Sequence, residues 1–182
     1  DARGKAAAGG NMKKILIVIN TLGCAGAESA LLELLKNINP EEYEVHLFVL
    51  MGQGEMIRRI PEYVKLLNRR YDDCSVLSAE GKAHLRRHVL GALLARGTVF
   101  RLFPYLTVQL AGMVKRKRLQ ADKLLWRAMS MGAGRIEERY DLAVAYLEGG
   151  AAYYVADYVR ADKKAAFIHV DYVQAGYNRS LD

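Results

Sequence analysis

The sequence is poor in cysteine and proline and has no long apolar run. Its 182 residues include 2 cysteines and 3 prolines. Cys24 and Cys74 supply neither a disulfide framework nor a metal-binding spacing, and this usage predicts a reducing, cytoplasmic compartment. No stretch approaches about 18 uninterrupted apolar residues, so no transmembrane helix is predicted. Residues 1–11 are rich in Ala and Gly and lack the apolar core of a secretory signal, so we expect a non-native or disordered leader before a domain that begins at Met12 and extends over 12–182.

Apolar content and an uneven charge distribution are the features that the sequence does contain. Hydrophobic residues make up 52% of the chain and charged residues 26%, which is typical of one folded globular domain rather than of a disordered chain. The net charge is +7, but the segment from Gly81 to Tyr140 carries +10 by itself. The basic residues are therefore concentrated in one segment, which indicates an anionic partner or a solvated helical face.

Alternating apolar runs and amphipathic segments predict an α/β fold. Strands are predicted at residues 15–19, 43–50, 64–67, 141–147 and 165–170. Helical spacing follows the first strand as far as Pro40 and recurs over 151–159, with a short helix at 55–60. This order predicts a Rossmann-like, doubly wound, mostly parallel sheet. Between residues 83 and 135 helix formers dominate, which predicts an insert of two or three helices.

The loop after the first predicted strand is the first of three candidate binding loops, because open α/β sheets bind ligands beyond the C-terminal ends of their strands. Glycine lets the backbone approach a ligand, and the N-terminus of the next helix attracts anions. The loop could therefore cradle a diphosphate, or its glycines could serve only a turn with positive φ. The residues concerned are Gly23, Ala25, Gly26, Ala27 and Glu28.

The second loop follows the strand at 141–147 and contains Glu148 and Gly149. The carboxylate could bind sugar hydroxyls or act on a proton. Alternatively, it could cap the helix that follows, since acidic groups are favoured near a helix N-terminus.

His169 ends the last predicted strand, with Asp171 two residues further on. A histidine in this position can hydrogen-bond a ligand or change its charge near neutral pH, although a structural role is the alternative. We assign His46 to the interior of the second strand, and His84 and His88 to an exposed basic helix face.

Two blocks of sequence resemble the N-terminal domain of family 4 GT-B glycosyltransferases. The first is KKILIVINTLGCAGAESALLELLKNINPEEYEVHLFVL, with the family's strand, small-residue loop, leucine-rich helix and second strand. The second is YDLAVAYLEGGAAYYVADYV followed by KKAAFIHVDY, which resembles a later strand, a helix and a histidine-bearing strand. The sequence departs from the family where Ala25-Gly26 replaces the usual Gly-Gly pair, and the helical middle shows no specific resemblance.

The resemblance implies a retaining transfer of sugar from a nucleoside diphosphate sugar to a lipid-linked or polysaccharide acceptor, without a metal or other cofactor. The chain would be the acceptor-side, N-terminal half of the GT-B fold, inactive without a C-terminal donor-binding domain. Gly23, Gly26 and Ala27 would face the donor diphosphate, and His169 would help to stabilise charge at the reacting centre. Contacts to the acceptor would come from Glu148, Gly149 and Asp171.

Basic and aromatic residues of the predicted insert form a candidate membrane-facing set. They flank apolar stretches such as 99–114, an arrangement that could lie on an anionic bilayer at the inner face of the membrane. The alternative is an ordinary helical layer that packs on the sheet and presents its basic face to solvent. The set comprises Arg96, Arg101, Lys115, Arg116, Lys117, Arg118, Lys123 and Trp126.

Two other classes of function compete with sugar transfer. The chain could be a non-enzymatic basic module that binds RNA or an anionic membrane surface, although no nucleic-acid-binding motif is present and we expect no nucleic-acid partner. A Rossmann dehydrogenase fragment is disfavoured because G-x-G-x-x-G is missing and the second strand runs into Met51-Gly52 instead of an acidic residue.

Overall fold

The computed structural model describes residues 12–94, 97, 102–107, 110 and 121–171. Its strands are β1 (Lys13–Ile19), β2 (Tyr43–Val49), β3 (Lys65–Leu66), β4 (Arg139–Ala145) and β5 (Arg160–Ala166). They form one sheet in the order β3-β2-β1-β4-β5, and every neighbouring pair is parallel. The predicted α/β, Rossmann-like sheet is confirmed, and the described strands are all parallel rather than mostly so.

The helices alternate with these strands, apart from the predicted insert. They are α1 (Gly26–Asn37), a 3-10 helix (Glu55–Arg59), α2 (Ala79–Leu94), α3 (residues 102–107), α4 (Ala121–Gly132) and α5 (Gly150–Tyr158). Three of the described helices, α2, α3 and α4, lie between β3 and β4 in the chain, in the region where the sequence predicts an insert of two or three helices. Its α4 contacts both α2 and α5, which places α4 between those two helices.

Different helices cover the two faces of the sheet. On one face, Leu31, Leu32 and Leu35 of α1 are completely buried against side chains of β1 and β2. On the other face, Tyr154 and Val155 of α5 pack with apolar residues of β1, β2 and β4. Each such side chain contributes about 1.5–3 kcal/mol by leaving water. Burial on both faces explains why the apolar run of β1, from Ile15 to Ile19, is continuous instead of alternating.

The edge strand β5 differs from the sequence prediction. The apolar pattern predicted a strand at 165–170, but the observed strand is Arg160–Ala166. Its register against β4 runs from Arg139 opposite Arg160 to Ala145 opposite Ala166. Six of its seven residues are exposed, and exposed edge strands often carry charged side chains. Pairing with β4 rather than hydrophobicity therefore determines where this strand lies.

None of the described helices is long and apolar enough to cross a membrane.

Candidate functional site

The C-terminal ends of β1 and β4 flank the point where the strand order changes direction, since β2 and β3 lie on one side of β1 and β4 and β5 on the other. Ligands of open α/β sheets bind at such a switch point. Three predicted segments therefore share this edge of the sheet: residues 20–28 after β1, 146–149 after β4 and 167–171 after β5. We call these three segments the candidate site.

Asn20 joins two of these segments, although it is not among the site residues predicted from the sequence. Its Nδ2 donates to the backbone carbonyl of Glu148 at 3.1 Å, and its Oδ1 accepts from the backbone N–H of Ala151 at 2.8 Å. The side chain is 8% exposed. An asparagine directly after a buried strand at the switch edge was the available signal, because a buried amide needs polar partners.

Glu148 does not cap α5, contrary to one of its two predicted roles. The N-cap residue of α5 is Gly149, which has φ 77°, and the acceptor for the N–H of Ala151 belongs to Asn20. Instead, Oε2 of Glu148 accepts from the backbone N–H of His169 at 3.0 Å. The carboxylate thus connects the segment after β4 to the segment after β5, and no described interaction assigns it to an acceptor.

The imidazole of His169 is anchored on one side. Its Nε2 lies 3.0 Å from the backbone carbonyl of Tyr146, and the Tyr146 ring is 5.5 Å away from the imidazole, centroid to centroid. A carbonyl oxygen only accepts hydrogen bonds, so Nε2 carries a proton and Nδ1 is the nitrogen left for another partner. His169 is exposed and lies three residues past the end of β5, not within a strand as the sequence predicted. Asp171 is also exposed.

The first turn of α1 has free backbone donors. Its N-cap residue, Ala25, makes no side-chain cap. No described residue accepts a hydrogen bond from the N–H of Gly26, Ala27 or Glu28, whereas the N–H of Ser29 is bonded to the Ala25 carbonyl at 3.0 Å. Such orphan amides, together with the helix dipole, attract anions.

The glycines of this loop do not serve a left-handed turn, which was the alternative reading of the sequence. Among the described glycines, positive φ occurs at Gly52, Gly54, Gly97 and Gly149 only. A Cβ on Gly23 would lie 3.0 Å from Val76, so its absence permits close packing, whereas a Cβ on Gly26 would meet nothing within 4 Å. Space is therefore open beside the free amides.

The departure at Ala25 is sterically harmless in this backbone. Ala25 is extended, with φ −135° and ψ 175°, a conformation that any residue adopts without strain. Glu28, in contrast, is 7% exposed, so little of its surface is left to contact a ligand.

Two residues of the predicted membrane-facing set lie in the described part of the chain, one of them buried and the other half-buried. Lys123 is 5% exposed. The indole of Trp126 is half-buried and packs on the loop after β4, because a Cβ on Gly149 would lie 3.3 Å from it and a Cβ on Gly150 only 2.7 Å. Their surroundings argue against a membrane contact for this pair. The other six residues lie outside the described part of the chain: Arg96, Arg101, Lys115, Arg116, Lys117 and Arg118.

A second polar cluster lies at the start of the strands, away from the candidate site. His46 is completely buried, as its structural assignment predicted, with Nε2 2.9 Å from Glu44 and Nδ1 2.8 Å from the Tyr140 hydroxyl. Lys14 forms ion pairs with both Glu44 and Glu138.

The hydrogen bond from His46 lowers the pKa of Glu44, and the one from Lys14 lowers that of Glu138. Burial raises the pKa of the neighbouring Tyr140 hydroxyl. Ligand atoms of Glu44, His46 and Glu138 lie within 4.8 Å of one another, as a metal would require. The ammonium of Lys14 is paired with both carboxylates and offsets part of their charge, which is a stabilising arrangement without an ion.

Comparison with known proteins returned no match: no family model, no curated protein and no solved structure is significantly similar to the chain. The functional interpretation therefore depends on the geometry of the candidate site and on the sequence resemblance.

Proposed function

We propose that this chain is the N-terminal, acceptor-side half of a retaining GT-B glycosyltransferase. The whole enzyme would transfer a sugar from a nucleoside diphosphate sugar to a lipid-linked or polysaccharide acceptor. The observation that carries the proposal is the presence of free α1 amides and an exposed, anchored histidine at the same switch-point edge of a parallel sheet. A second domain facing this edge would supply most of the donor site.

The first turn of α1 is suited to bind the anionic diphosphate of the donor. The N–H groups of Gly26, Ala27 and Glu28 lack acceptors among the described residues. Gly26 has no side chain to obstruct them and no neighbour within 4 Å of a would-be Cβ. A diphosphate oxygen accepting these bonds would gain from the positive end of the helix dipole.

His169 is suited to stabilise charge that develops at the reacting centre. Its ring orientation is held through Nε2 by the Tyr146 carbonyl and its backbone through the Glu148 carboxylate. The Nδ1 edge therefore has a defined direction before substrate binds, which is the preorganisation that stabilises developing charge efficiently. Glu148 acts here as a positioning residue through the backbone of His169.

The proposal is tested by measuring sugar transfer from UDP-, GDP- and ADP-sugars. The protein to be assayed carries this chain together with a donor-binding domain. His169→Ala should lower kcat by roughly 100-fold, as the loss of one preorganised donor does in other active sites. Lys163→Ala is the matched control, since Lys163 is exposed on β5, and it should leave turnover unchanged.

A second variant separates binding from folding. Gly26→Leu places a side chain in the open space beside the free amides, so it should reduce kcat/KM by roughly tenfold or more without lowering Tm. The proposal fails if none of the three sugar-nucleotide classes is used, or if both His169→Ala and Gly26→Leu transfer sugar as the parent does.

A further inference from the structure

A cavity of about 890 Å³ opens between the ends of β2 and β3 on one side and the helical insert on the other. One wall is formed by Arg69 and Arg70, which follow β3, and the second by α2. Residues 132–137, which include the last residue of α4 and the segment after it, form the third wall. Its volume is within the range of small-molecule binding pockets, which runs from about 300 to 1,000 Å³.

Arginines from three separate elements line this cavity. They are Arg69 and Arg70 after β3, Arg87 on α2 and Arg135 after α4, against the single acidic residue Glu137. Within the described part of the chain, Arg69, Arg70 and Arg87 form no ion pair. Arg135 is held by its neighbour, since its guanidinium lies 4.0 Å from the centroid of the Tyr158 ring. The positive charge of the walls is therefore not neutralised locally.

Two histidines of α2 add further hydrogen-bonding groups. His84 and His88 line the same cavity, with ring centroids 6.5 Å apart. The sequence predicts an exposed basic helix face for both, but both are half-buried. His84 lies 3.1 Å from Asp72, and burial lowers the pKa of His88. A neutral imidazole can accept or donate one hydrogen bond beside the arginines.

The floor of the cavity is apolar. It is formed by Phe48 and Leu50 from β2 and its end, by Leu67 after β3 and by Ile136. Phe48 and Leu50 are 7% and 2% exposed and belong to the core on the α5 side of the sheet. A basic wall above an apolar floor is complementary to a molecule with an anionic end and an apolar end.

We propose that this cavity binds a phosphorylated amphiphile, with the phosphate or diphosphate between Arg69, Arg70 and Arg87 and the apolar portion over Phe48 and Leu67. Phosphate is favoured over a carboxylate because several guanidinium groups can each donate to a different phosphate oxygen. This binding does not require sugar transfer.

Calorimetric titration of the purified chain with geranyl diphosphate tests this inference. Inorganic pyrophosphate and geraniol, which represent the anionic and the apolar half of that ligand, are titrated separately for comparison. Geranyl diphosphate should bind at least about tenfold more tightly than either half. Arg69→Gln and Arg87→Gln should each weaken it by roughly tenfold, because each removes a charged hydrogen bond. Both arginines are exposed, so these variants should keep the parental Tm.

Arg59→Gln is the control with the same loss of charge, since Arg59 is exposed on the 3-10 helix and does not line the cavity. Its affinity for geranyl diphosphate should equal that of the parent. If pyrophosphate binds as tightly as geranyl diphosphate, the ligand is a free phosphate compound and the proposal of an amphiphile is overturned. Equal loss in Arg59→Gln, or no binding of geranyl diphosphate, would overturn the site itself. These outcomes are independent of sugar transfer, so they are distinguishable from failure of the proposed function.

Discussion

The Nδ2 of Asn20 lies 3.1 Å from the backbone carbonyl of Glu148, 128 residues later in the chain. The same amide accepts from the N–H of Ala151, so one side chain connects the end of β1 to the start of α5. The loop after β4 also presents its Glu148 carboxylate to the backbone of His169. Asn20 thus stabilises the segment on which the position of His169 depends.

Asn20→Ala should destabilise the protein by about 1–3 kcal/mol, because it leaves the half-buried Glu148 carbonyl and the buried Ala151 N–H without partners. The free energy of unfolding in urea measures the effect. Asn37→Ala is the matched control, since Asn37 is exposed and bonds only the Glu33 carbonyl of its own helix. It should change stability by less than about 0.5 kcal/mol. Equal losses in the two variants would contradict the role of Asn20.

Gly150→Ala should cost about 1–3 kcal/mol, because the added methyl overpacks a filled site. Its Cβ would lie 2.6 Å from Leu50, 2.7 Å from Trp126 and 3.1 Å from Asn20. Gly91→Ala provides the comparison, since Gly91 lies within α2 and a Cβ there meets nothing within 4 Å. This second variant should stabilise the protein by about 0.5–1 kcal/mol. Thermal unfolding of the two variants should therefore shift Tm in opposite directions, and two shifts of the same sign would disprove the packing argument.

Acid should destabilise the fold through Glu44 and Glu138. Hydrogen bonds from His46 and Lys14 lower the pKa of these two carboxyls in the folded state. Their contribution is present above the unfolded value of about 4.3 and is lost as pH falls through the lower folded values. The free energy of unfolding should thus decrease from about pH 5 downwards.

The double variant Glu44→Gln/Glu138→Gln should show a shallower acid dependence and a lower stability at pH 7. Glu62→Gln, which removes an exposed carboxylate outside this cluster, is the control and should keep the parental slope. An unchanged slope in the double variant would show that other carboxyls cause the acid sensitivity.

Periodicity predicted most of the fold because burial on both faces leaves continuous apolar runs. The strand predicted at 43–50 is observed as Tyr43–Val49, and the one predicted at 141–147 as Arg139–Ala145. It failed for β5, whose sequence RADKKAA is polar and exposed. The apolar pattern of a segment indicates which of its residues are buried. Most residues of the edge strand β5 are exposed, so its position, which depends on pairing with β4, leaves no apolar pattern in the sequence.

The sequence by itself determined the order of strands and helices and placed Gly26, Glu148 and His169 at strand ends or beyond them. It could not determine partners, since hydrogen bonds such as those of Asn20 join residues more than a hundred positions apart. Tertiary structure alone decided that Glu148 bonds to the backbone of His169, that Trp126 packs on Gly149 and that Lys123 is buried. The tertiary structure also places arginines from three distant segments around one cavity. The physical reason is that helical and strand periods identify the buried side of an element, whereas side-chain partners depend on how separate elements pack.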